Sequence, residues 1–264
     1  MKQLTTILLF AFCIAACQNT AESDATAQEE TTGIPAADEW TILFDGTSTE
    51  GWRAYNGKEL PPQWIIEDGV LTFSDEAKQS DVEHEGGKDI IYGAEEFENF
   101  ELYIEWKIPK GGNSGIFYHL KEGYDGPPEV SPEYQLIDDE NYAEMHDLVE
   151  YNTSLGYDEP EKLQPLQSTG ADYAMYVADE EAKVLHPAGE WNSTRIIFTP
   201  EQVEHWLNGK KILAFVPWSE DWHERKNNSK WKDFPDYGKF KKGYIGLQDH
   251  DSPLWFRNIK VKKL

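Results

Sequence analysis

The chain has 264 residues and a formal net charge of −25, with 24 Lys and Arg against 49 Asp and Glu. This length suits one sizeable domain, and such a charge disfavours nucleic acid and anionic lipid surfaces as partners while suiting a neutral ligand or a cation. Both cysteines lie within the first 17 residues, so the remainder has neither disulfides nor a thiol nucleophile.

The first 17 residues indicate a secretory signal. Lys2 supplies a positive start, and the apolar run after it is too short to span a membrane. Its end, Ile-Ala-Ala-Cys at residues 14–17, resembles the bacterial lipobox, in which the cysteine becomes the lipidated first residue. Residues 18–39 are small, polar and acidic, as in a flexible tether. We expect an exported bacterial lipoprotein, anchored in the cell envelope through Cys17 alone; an ordinary signal peptide is the alternative.

The rest of the chain, residues 40–264, predicts many short strands and little helix. Asp68-Gly69 and Asn208-Gly209 lie between apolar runs and are dipeptides preferred in two-residue hairpins. Residues 97–108 alternate apolar and charged side chains until Pro109 ends the run. This pattern favours one all-β domain, an antiparallel sandwich or barrel. The predicted strands are 63–67, 70–74, 89–92, 97–108, 171–177, 191–198, 202–207, 211–216, 243–249 and 254–261.

Two further strand-like runs lie between Gly111 and Asp139, on either side of a turn rich in Gly and Pro. Strand side chains alternate between faces, so each run has a mostly apolar face, which in the first run includes Tyr118 and Leu120. A sheet with one solvated face is one interpretation. If instead the runs pair as neighbours around a site, four side chains form one polar floor: Asn113, His119, Glu133 and Gln135.

Two long segments interrupt the strands, residues 140–169 and 218–242, with short helices predicted at 141–151 and 219–226. Loops longer than about twelve residues are usually functional, so both are predicted to border the face that carries Glu133. The second segment contains Trp222 and Trp231 among charges. Exposed aromatic rings suit stacking against a sugar; the alternative is that they fasten the loop to the sandwich.

A second polar cluster, Gly-Leu-Gln-Asp-His-Asp, occupies residues 246–251 at the end of a predicted strand. Gln248 and His250 share strand parity, and histidine is the commonest general base near neutral pH. A loop histidine with a structural hydrogen bond is the alternative. Asp138 and Asp249, with neighbouring carboxylates, could bind a hard cation. No spacing indicates a transition-metal site, and neither a catalytic metal nor a cofactor is expected.

The pair Glu133 and Gln135 invites comparison with glycosidases. Positions i and i+2 on a strand are about 6.5–7 Å apart, and ordinary glycoside hydrolysis needs two carboxyl groups flanking the bond. Because Gln135 is an amide, it can be neither nucleophile nor base. A two-carboxylate mechanism would therefore have to recruit another acid, such as Asp138 or Asp249.

Seven short motifs occur together and are more specific as a set than singly. They are F-D-G-T at 44–47 with G-W at 51–52, G-N-S-G-I at 112–116, E-Y-Q at 133–135, G-E-W-N at 189–192, H-W-L-N-G at 205–209, G-L-Q-D-H at 246–250 and F-R-N-I at 256–259. In this order they resemble the 3-keto-disaccharide hydrolase family, also called the 3-keto-glucoside 1,2-lyase/hydratase domain. The resemblance implies a concanavalin A-like jelly-roll sandwich, often on exported lipoproteins.

The resemblance also implies the cleavage of 3-keto-glucosides. A ketone at sugar C3 acidifies the hydrogen on C2; a base removes that hydrogen, the C1 oxygen leaves, and hydration of the enone completes net hydrolysis. This route needs one base and donors for the ketone oxygen rather than two carboxylates. It further implies a small neutral carbohydrate as ligand and a functional link to a sugar 3-oxidoreductase.

For this chemistry Glu133 and His250 are the candidate bases, with Gln135 beside them. The chain has His119 where the family often has Arg, and Asp251 where it often has Gly. A non-catalytic carbohydrate-binding module is the competing interpretation, since it would not need Glu133 and His250 in one pocket. The candidate substrate-binding residues are Asn113, His119, Asp138, Gln248, Asp249, Arg257, Trp222 and Trp231.

Overall fold

The computed structural model describes residues 40–74 and 86–264. The predicted signal, Cys17 and the tether lie outside these ranges. No helix in the described ranges is long and apolar enough to cross a membrane. The strands are β1 (Thr41–Phe44), β2 (Trp52–Ala54), β3 (Trp64–Glu67), β4 (Val70–Phe73), β5 (Ile90–Tyr92), β6 (Phe100–Lys107), β7 (Asn113–Leu120), β8 (Glu133–Ile137), β9 (Asn192–Phe198), β10 (Val203–Leu207), β11 (Lys210–Phe215), β12 (Tyr244–Leu247) and β13 (Leu254–Lys263).

These strands form two antiparallel sheets. The larger sheet has the order β11-β10-β9-β6-β13-β4-β3, with β1 also paired to β13, and the smaller sheet has the order β2-β5-β12-β7-β8. One hydrophobic core contains buried side chains from both sheets, as expected for two layers packed face to face. The predicted all-β antiparallel sandwich of jelly-roll type is confirmed.

Strand β6 illustrates how the sequence pattern produces this core. Its even-numbered residues from Phe100 to Trp106 are buried, while the alternating residues face outward. The Phe100 ring meets the Tyr118 ring of β7 across the two sheets, at a centroid distance of 6.4 Å. Trp106 Nε1 donates to Thr194 Oγ1 at 2.9 Å, so the buried indole has its hydrogen-bond partner.

Both predicted hairpins are present. Asp68 and Gly69 have φ angles of 50° and 78°, and Asn208 and Gly209 have 47° and 79°. Two consecutive positive φ angles are what a type I′ turn requires, which is why Asn-Gly and Asp-Gly occur there. The prediction of a strand at residues 171–177 is wrong: Asp172 N donates to Tyr176 O, so the chain turns back on itself and forms only isolated bridges.

The long segments contain short helices. Residues 140–169 hold α1 (Tyr142–Met145) and α2 (Val149–Ser154) rather than the one predicted helix. The exposed Asp147 lies between them and accepts a hydrogen bond from Val149 N at 3.0 Å. The predicted helix in the second segment is confirmed as α3 (Glu220–Asn228), which begins where Ser219 Oγ accepts a hydrogen bond from Trp222 N. A 3₁₀ helix, Lys230–Asp233, follows it.

Candidate active site

A cavity of about 410 Å³ lies on the face of the smaller sheet that points away from the core. Tyr134 and Leu136 of β8 enter the core, so Glu133 and Gln135 project from the opposite face. Both long segments border the cavity, as predicted. The lining residues are Asn113, Pro128, Glu133, Gln135, Ile137, Tyr142, Asp147, Leu148, Tyr151, Leu163, Gln167, Tyr173, Lys230, Gln248 and His250.

Glu133 lies at the floor of the cavity, where its position depends on a glycine of the neighbouring strand. Strand β8 pairs with β7 so that Gly115 faces Gln135 and Phe117 faces Glu133. A Cβ atom at Gly115 would lie only 2.0 Å from Glu133 Oε1. The carboxyl therefore occupies the space that a side chain at position 115 would fill, and this explains the glycine within the G-N-S-G-I motif.

The surroundings of Glu133 favour its neutral form. Its side chain is 3% exposed, and burial raises the pKa of Glu133 from 4.5 to about 8, with Lys230 lowering the pKa and Asp89 and Asp172 raising it. A carboxyl with this pKa can both take up and release a proton near neutral pH. That is the property a general base or acid needs.

The amide of Gln135 contacts the Glu133 carboxyl, and the amide of Asn113 contacts Gln135 in turn. In the orientation that satisfies its hydrogen bonds, Gln135 Nε2 donates to Glu133 Oε1 at 3.1 Å. The Asn113 amide lies 3.3 Å from the Gln135 amide and contacts the Tyr142 hydroxyl at the same distance. Three of the predicted site residues, Asn113, Glu133 and Gln135, thus form one row of polar groups.

Lys230 supplies the positive charge of the cavity. Its Nζ donates to the Tyr151 hydroxyl at 2.7 Å and lies 4.5 Å from the ring centroids of both Tyr173 and Trp231. The hydroxyls of Tyr151 and Tyr173 are themselves 3.0 Å apart. The ammonium is therefore held by aromatic faces and one phenol, an arrangement that stabilises a cation without a carboxylate.

Gln248 and His250 reach the cavity from the loop after β12. Gln248 N donates to Gly115 O at 2.9 Å, and Asp249 N donates to Asp89 Oδ1 at 2.8 Å. Burial raises the pKa of Asp89 to about 7. Asp251 has a φ of 55°, which explains why glycine suits this position and why Asp, which tolerates such angles better than most residues, can replace it.

His119 is the first predicted site residue that the structure places elsewhere. Its φ of 53° interrupts the strand alternation, so its ring turns into the core and lies 4.2 Å from the Phe198 ring. His119 Nε2 bonds to Glu98 O at 2.8 Å, and burial lowers the pKa of His119 to about 4. Leu120 consequently packs with Phe117 on the outer side rather than with Tyr118. The prediction that His119 joins the polar floor is wrong.

Asp138, Asp249 and Arg257 also lie outside the cavity lining. Asp138 is buried and accepts hydrogen bonds from Gly111 N and Asn141 Nδ2, so it anchors the start of α1. Asp249 belongs to the loop that carries His250, but its own side chain does not line the cavity. Arg257 belongs to the larger sheet, where its Nε donates to Glu105 Oε2 at 2.6 Å. The structure therefore does not bring these three residues into the cavity with Glu133, and their contacts with substrate stay predictions.

Trp222 and Trp231 are buried, with exposed fractions of 3% and 2%. Trp231 stacks on Tyr237 at a centroid distance of 4.4 Å, and its Nε1 donates to Tyr173 O at 3.1 Å. These rings fasten the second long segment to the sandwich, so the prediction that they stack on a sugar is wrong. The segment's contribution to the cavity is instead Lys230, which sequence reasoning missed.

The cation site considered for the acidic residues does not assemble in the part of the chain that the structure describes, where no three His, Cys, Asp or Glu side chains gather as metal ligands. Sequence reasoning also missed Tyr151 and Tyr173. Tyr151 lies on α2 and Tyr173 lies in the loop between Thr169 and β9, so neither belongs to β8 or its neighbouring strands. The one sequence feature that could have indicated the Lys230 site was a lysine next to an aromatic residue, at Lys230-Trp231.

Comparison with known proteins identifies the relatives of this chain. A curated 3-keto-disaccharide hydrolase from Bacteroides thetaiotaomicron is 35% identical over 249 residues, covering 86% of this chain and 79% of that protein. A solved structure from Parabacteroides distasonis, provisionally named a glycosyl hydrolase, is 40% identical with a TM-score of 0.73 and covers 85% of this chain and 94% of that one. A second structure from the same organism, similarly named, is 28% identical with a TM-score of 0.58, covering 86% and 100%.

The match to a family profile is equally extensive. The profile is described as a 3-keto-alpha-glucoside-1,2-lyase-like domain and matches residues 39–262. This range includes both sheets apart from the last residue of β13, and every residue that lines the cavity. The chain therefore belongs to the family of 3-keto-alpha-glucoside-1,2-lyase-like domains.

Proposed function

We propose that the protein cleaves the glycosidic bond of 3-keto-glucosides or 3-keto-disaccharides by elimination across C2 and C1, followed by hydration. The observation that carries the proposal is Glu133, the one buried carboxyl among the described residues that line the cavity, whose raised pKa suits proton transfer. The other carboxylate in the lining, Asp147, is exposed and accepts a hydrogen bond from Val149 N. One buried base is what an elimination needs, whereas an ordinary glycosidase needs two carboxyl groups flanking the bond.

In the first step, the ionised Glu133 carboxylate takes the proton from C2. The electrons of the C2–H bond form a C2=C3 double bond, and the electrons of the C3 carbonyl move onto its oxygen. When this enolate collapses, the C3 carbonyl returns, a C1=C2 double bond forms and the C1–O bond breaks. The departing oxygen takes a proton and leaves as an alcohol or a sugar.

Hydration completes the reaction. Water adds its hydroxyl to C1 and a proton to C2, which removes the double bond and gives the free 3-keto sugar. His250, exposed at the cavity mouth, is suited to give the proton to the departing oxygen and later to activate the water. The substrate must carry a ketone at C3, so an oxidoreductase acting on that hydroxyl has to precede this enzyme.

The relatives support this proposal. The family description names a 1,2-lyase acting on 3-keto-alpha-glucosides, and the Bacteroides thetaiotaomicron relative is named a 3-keto-disaccharide hydrolase. The size of the cavity, about 410 Å³, lies in the usual range for small-molecule sites. A carbohydrate-binding module would have no use for a buried carboxyl with a raised pKa.

The test compares a 3-keto-disaccharide with its unoxidised parent as substrates of the purified protein. We expect sugar release from the oxidised compound alone. Deuterium at C2 of the oxidised substrate should slow cleavage, because the C2–H bond breaks in the first step. Equal turnover of the parent sugar would favour an ordinary glycosidase, and binding of both sugars without turnover would favour a binding module.

A further inference from the structure

Elimination from a 3-keto sugar leaves negative charge on the C3 oxygen, which needs a strong hydrogen-bond donor. Several amides of the cavity are already engaged. Gln135 Nε2 donates to Glu133, and Gln167 Nε2 donates to Asn152 Oδ1 at 2.8 Å. The Asn113 amide contacts the Tyr142 hydroxyl. These groups position the walls and the carboxyl of the cavity rather than a ligand.

Lys230 has N–H donors and a positive charge that could act on a ligand. An ammonium carries three N–H donors, and Tyr151 accepts one of them at 2.7 Å. None of the ion pairs between described residues includes Lys230. Its charge is stabilised by the rings of Tyr173 and Trp231 instead. Aromatic faces hold the cation in place but do not neutralise it as a carboxylate would.

Lys230 and Glu133 share the cavity in which the proposed substrate would bind. Both side chains line the same cavity, and Lys230 is the cation whose charge acts on the Glu133 carboxyl. The hydrogen on C2 and the oxygen on C3 belong to adjacent carbons of the sugar ring. A base and a cation that share one small cavity can therefore address both atoms of a single bound substrate.

We propose that Lys230 is the electrophilic catalytic residue of this site, donating a hydrogen bond from its ammonium to the C3 oxygen of the substrate while Glu133 removes the C2 proton. This inference rests on the proposed function. Lys230 keeps its own proton throughout and stabilises the enolate oxygen until the C3 carbonyl re-forms. Tyr151 fixes the direction of the ammonium through the hydrogen bond between Lys230 Nζ and its hydroxyl.

The test separates proton removal from bond cleavage. The 3-keto derivative of 1,5-anhydroglucitol has no exocyclic oxygen at C1, so no glycosidic bond can break, and removal of its C2 proton is followed by the return of a proton from solvent. Exchange in D₂O is followed by NMR, and cleavage of a 3-keto-disaccharide is measured in parallel. The variants are Lys230→Met, which removes the charge, and Lys230→Arg, which keeps it. Lys232→Met is the matched control, since Lys232 is an exposed lysine of the same 3₁₀ helix.

We expect Lys230→Met to slow both exchange and cleavage by about 10²–10³-fold in kcat, the usual cost of losing one oxyanion donor, with a much smaller change in KM. Lys230→Arg should retain more activity than Lys230→Met, and Lys232→Met should match the wild type. If Lys230→Met does not fold, as judged by its thermal transition, Lys230→Gln replaces it with the same expectation.

Exchange and cleavage by Lys230→Met within about threefold of the wild type would overturn the role of Lys230 and leave the proposed function standing. Loss of cleavage with wild-type exchange would also overturn it, because the enolate would then form without the lysine. A wild-type protein that neither exchanges nor cleaves 3-keto sugars would instead refute the proposed function itself.

Discussion

Replacing Gly115 by alanine tests whether the position of the Glu133 carboxyl governs activity. The added Cβ would lie 2.0 Å from Glu133 Oε1, 2.6 Å from its Cδ and 2.7 Å from its Cγ. Real Cβ contacts are essentially never shorter than 3.0 Å, so the carboxyl must move by about 1 Å. The φ of Gly115 is not among the positive ones, so the backbone accepts alanine without strain and the effect falls on Glu133.

A displacement of about 1 Å in a catalytic group can reduce the rate by about 10²-fold. We therefore expect kcat of Gly115→Ala on a 3-keto-disaccharide to fall by about that factor, while the thermal transition shows that the protein still folds. Gly87→Ala is the control, because a Cβ there meets nothing closer than Asp89 N at 3.9 Å. Activity of Gly115→Ala within about threefold of the wild type, alongside an inactive Glu133→Gln, would refute the reasoning that the glycine sets the carboxyl's position.

The remaining predictions concern the base, its protonation and the residues placed outside the cavity. Glu133→Gln and His250→Ala should each lower kcat by about 10²–10⁴-fold. The control, Glu201→Gln, changes an exposed carboxylate outside the cavity lining and should leave kcat unchanged. Wild-type rates in both site variants would remove their catalytic assignment. Because the pKa of Glu133 is raised to about 8, kcat/KM should rise as the pH rises through 8, and a profile flat from pH 6 to 9 would contradict a carboxylate base. The folded state holds the Glu133 proton more tightly than the unfolded state, so the stability that this proton contributes is present below pH 4.5 and is lost as pH rises towards 8. The melting temperature of Glu133→Gln minus that of the wild type should therefore increase from pH 5 to pH 9. A constant difference would argue against the raised pKa. Trp231→Ala should lower the free energy of unfolding by about 3–5 kcal/mol in denaturant titrations, as expected for a buried tryptophan, and a loss under 1 kcal/mol would contradict its structural role. Arg257→Gln should leave kcat within about twofold of wild type, since Arg257 lies in the larger sheet paired with Glu105, and a loss of tenfold or more would reopen its predicted contact with substrate.

Much of the fold follows from signals that are local in the sequence. The two hairpins depend on dipeptides that accept positive φ, and strand β6 depends on a period of two that spans its whole length. The row formed by Asn113, Glu133 and Gln135 was predictable for a similar reason. It needs only strand parity and the pairing of two runs that follow each other in the chain.

The errors arise where distant parts of the chain decide the outcome. His119 itself has a positive φ, which turns its ring into the core instead of towards the cavity. The sheet to which Arg257 belongs depends on the pairing of β13 with β6. The hydrogen bond from Arg257 to Glu105 joins residues that are 152 positions apart in the sequence. The environment of Lys230 is assembled from Tyr151, Tyr173 and its own segment, so no window of sequence contains it.

The pairing register of β7 with β8 has a further consequence for how this chain can misfold. A slip of one residue would turn Tyr134 and Leu136 out to the cavity and bring Glu133 and Gln135 between the sheets. Burying a carboxyl and an amide without partners in that apolar layer costs free energy, and the backbone hydrogen bonds of the shifted register would not compensate for it. The same polar groups that equip the cavity for proton transfer thereby exclude the misaligned sheet, so that replacing both by apolar residues would abolish activity and also permit a second, non-native alignment of β8.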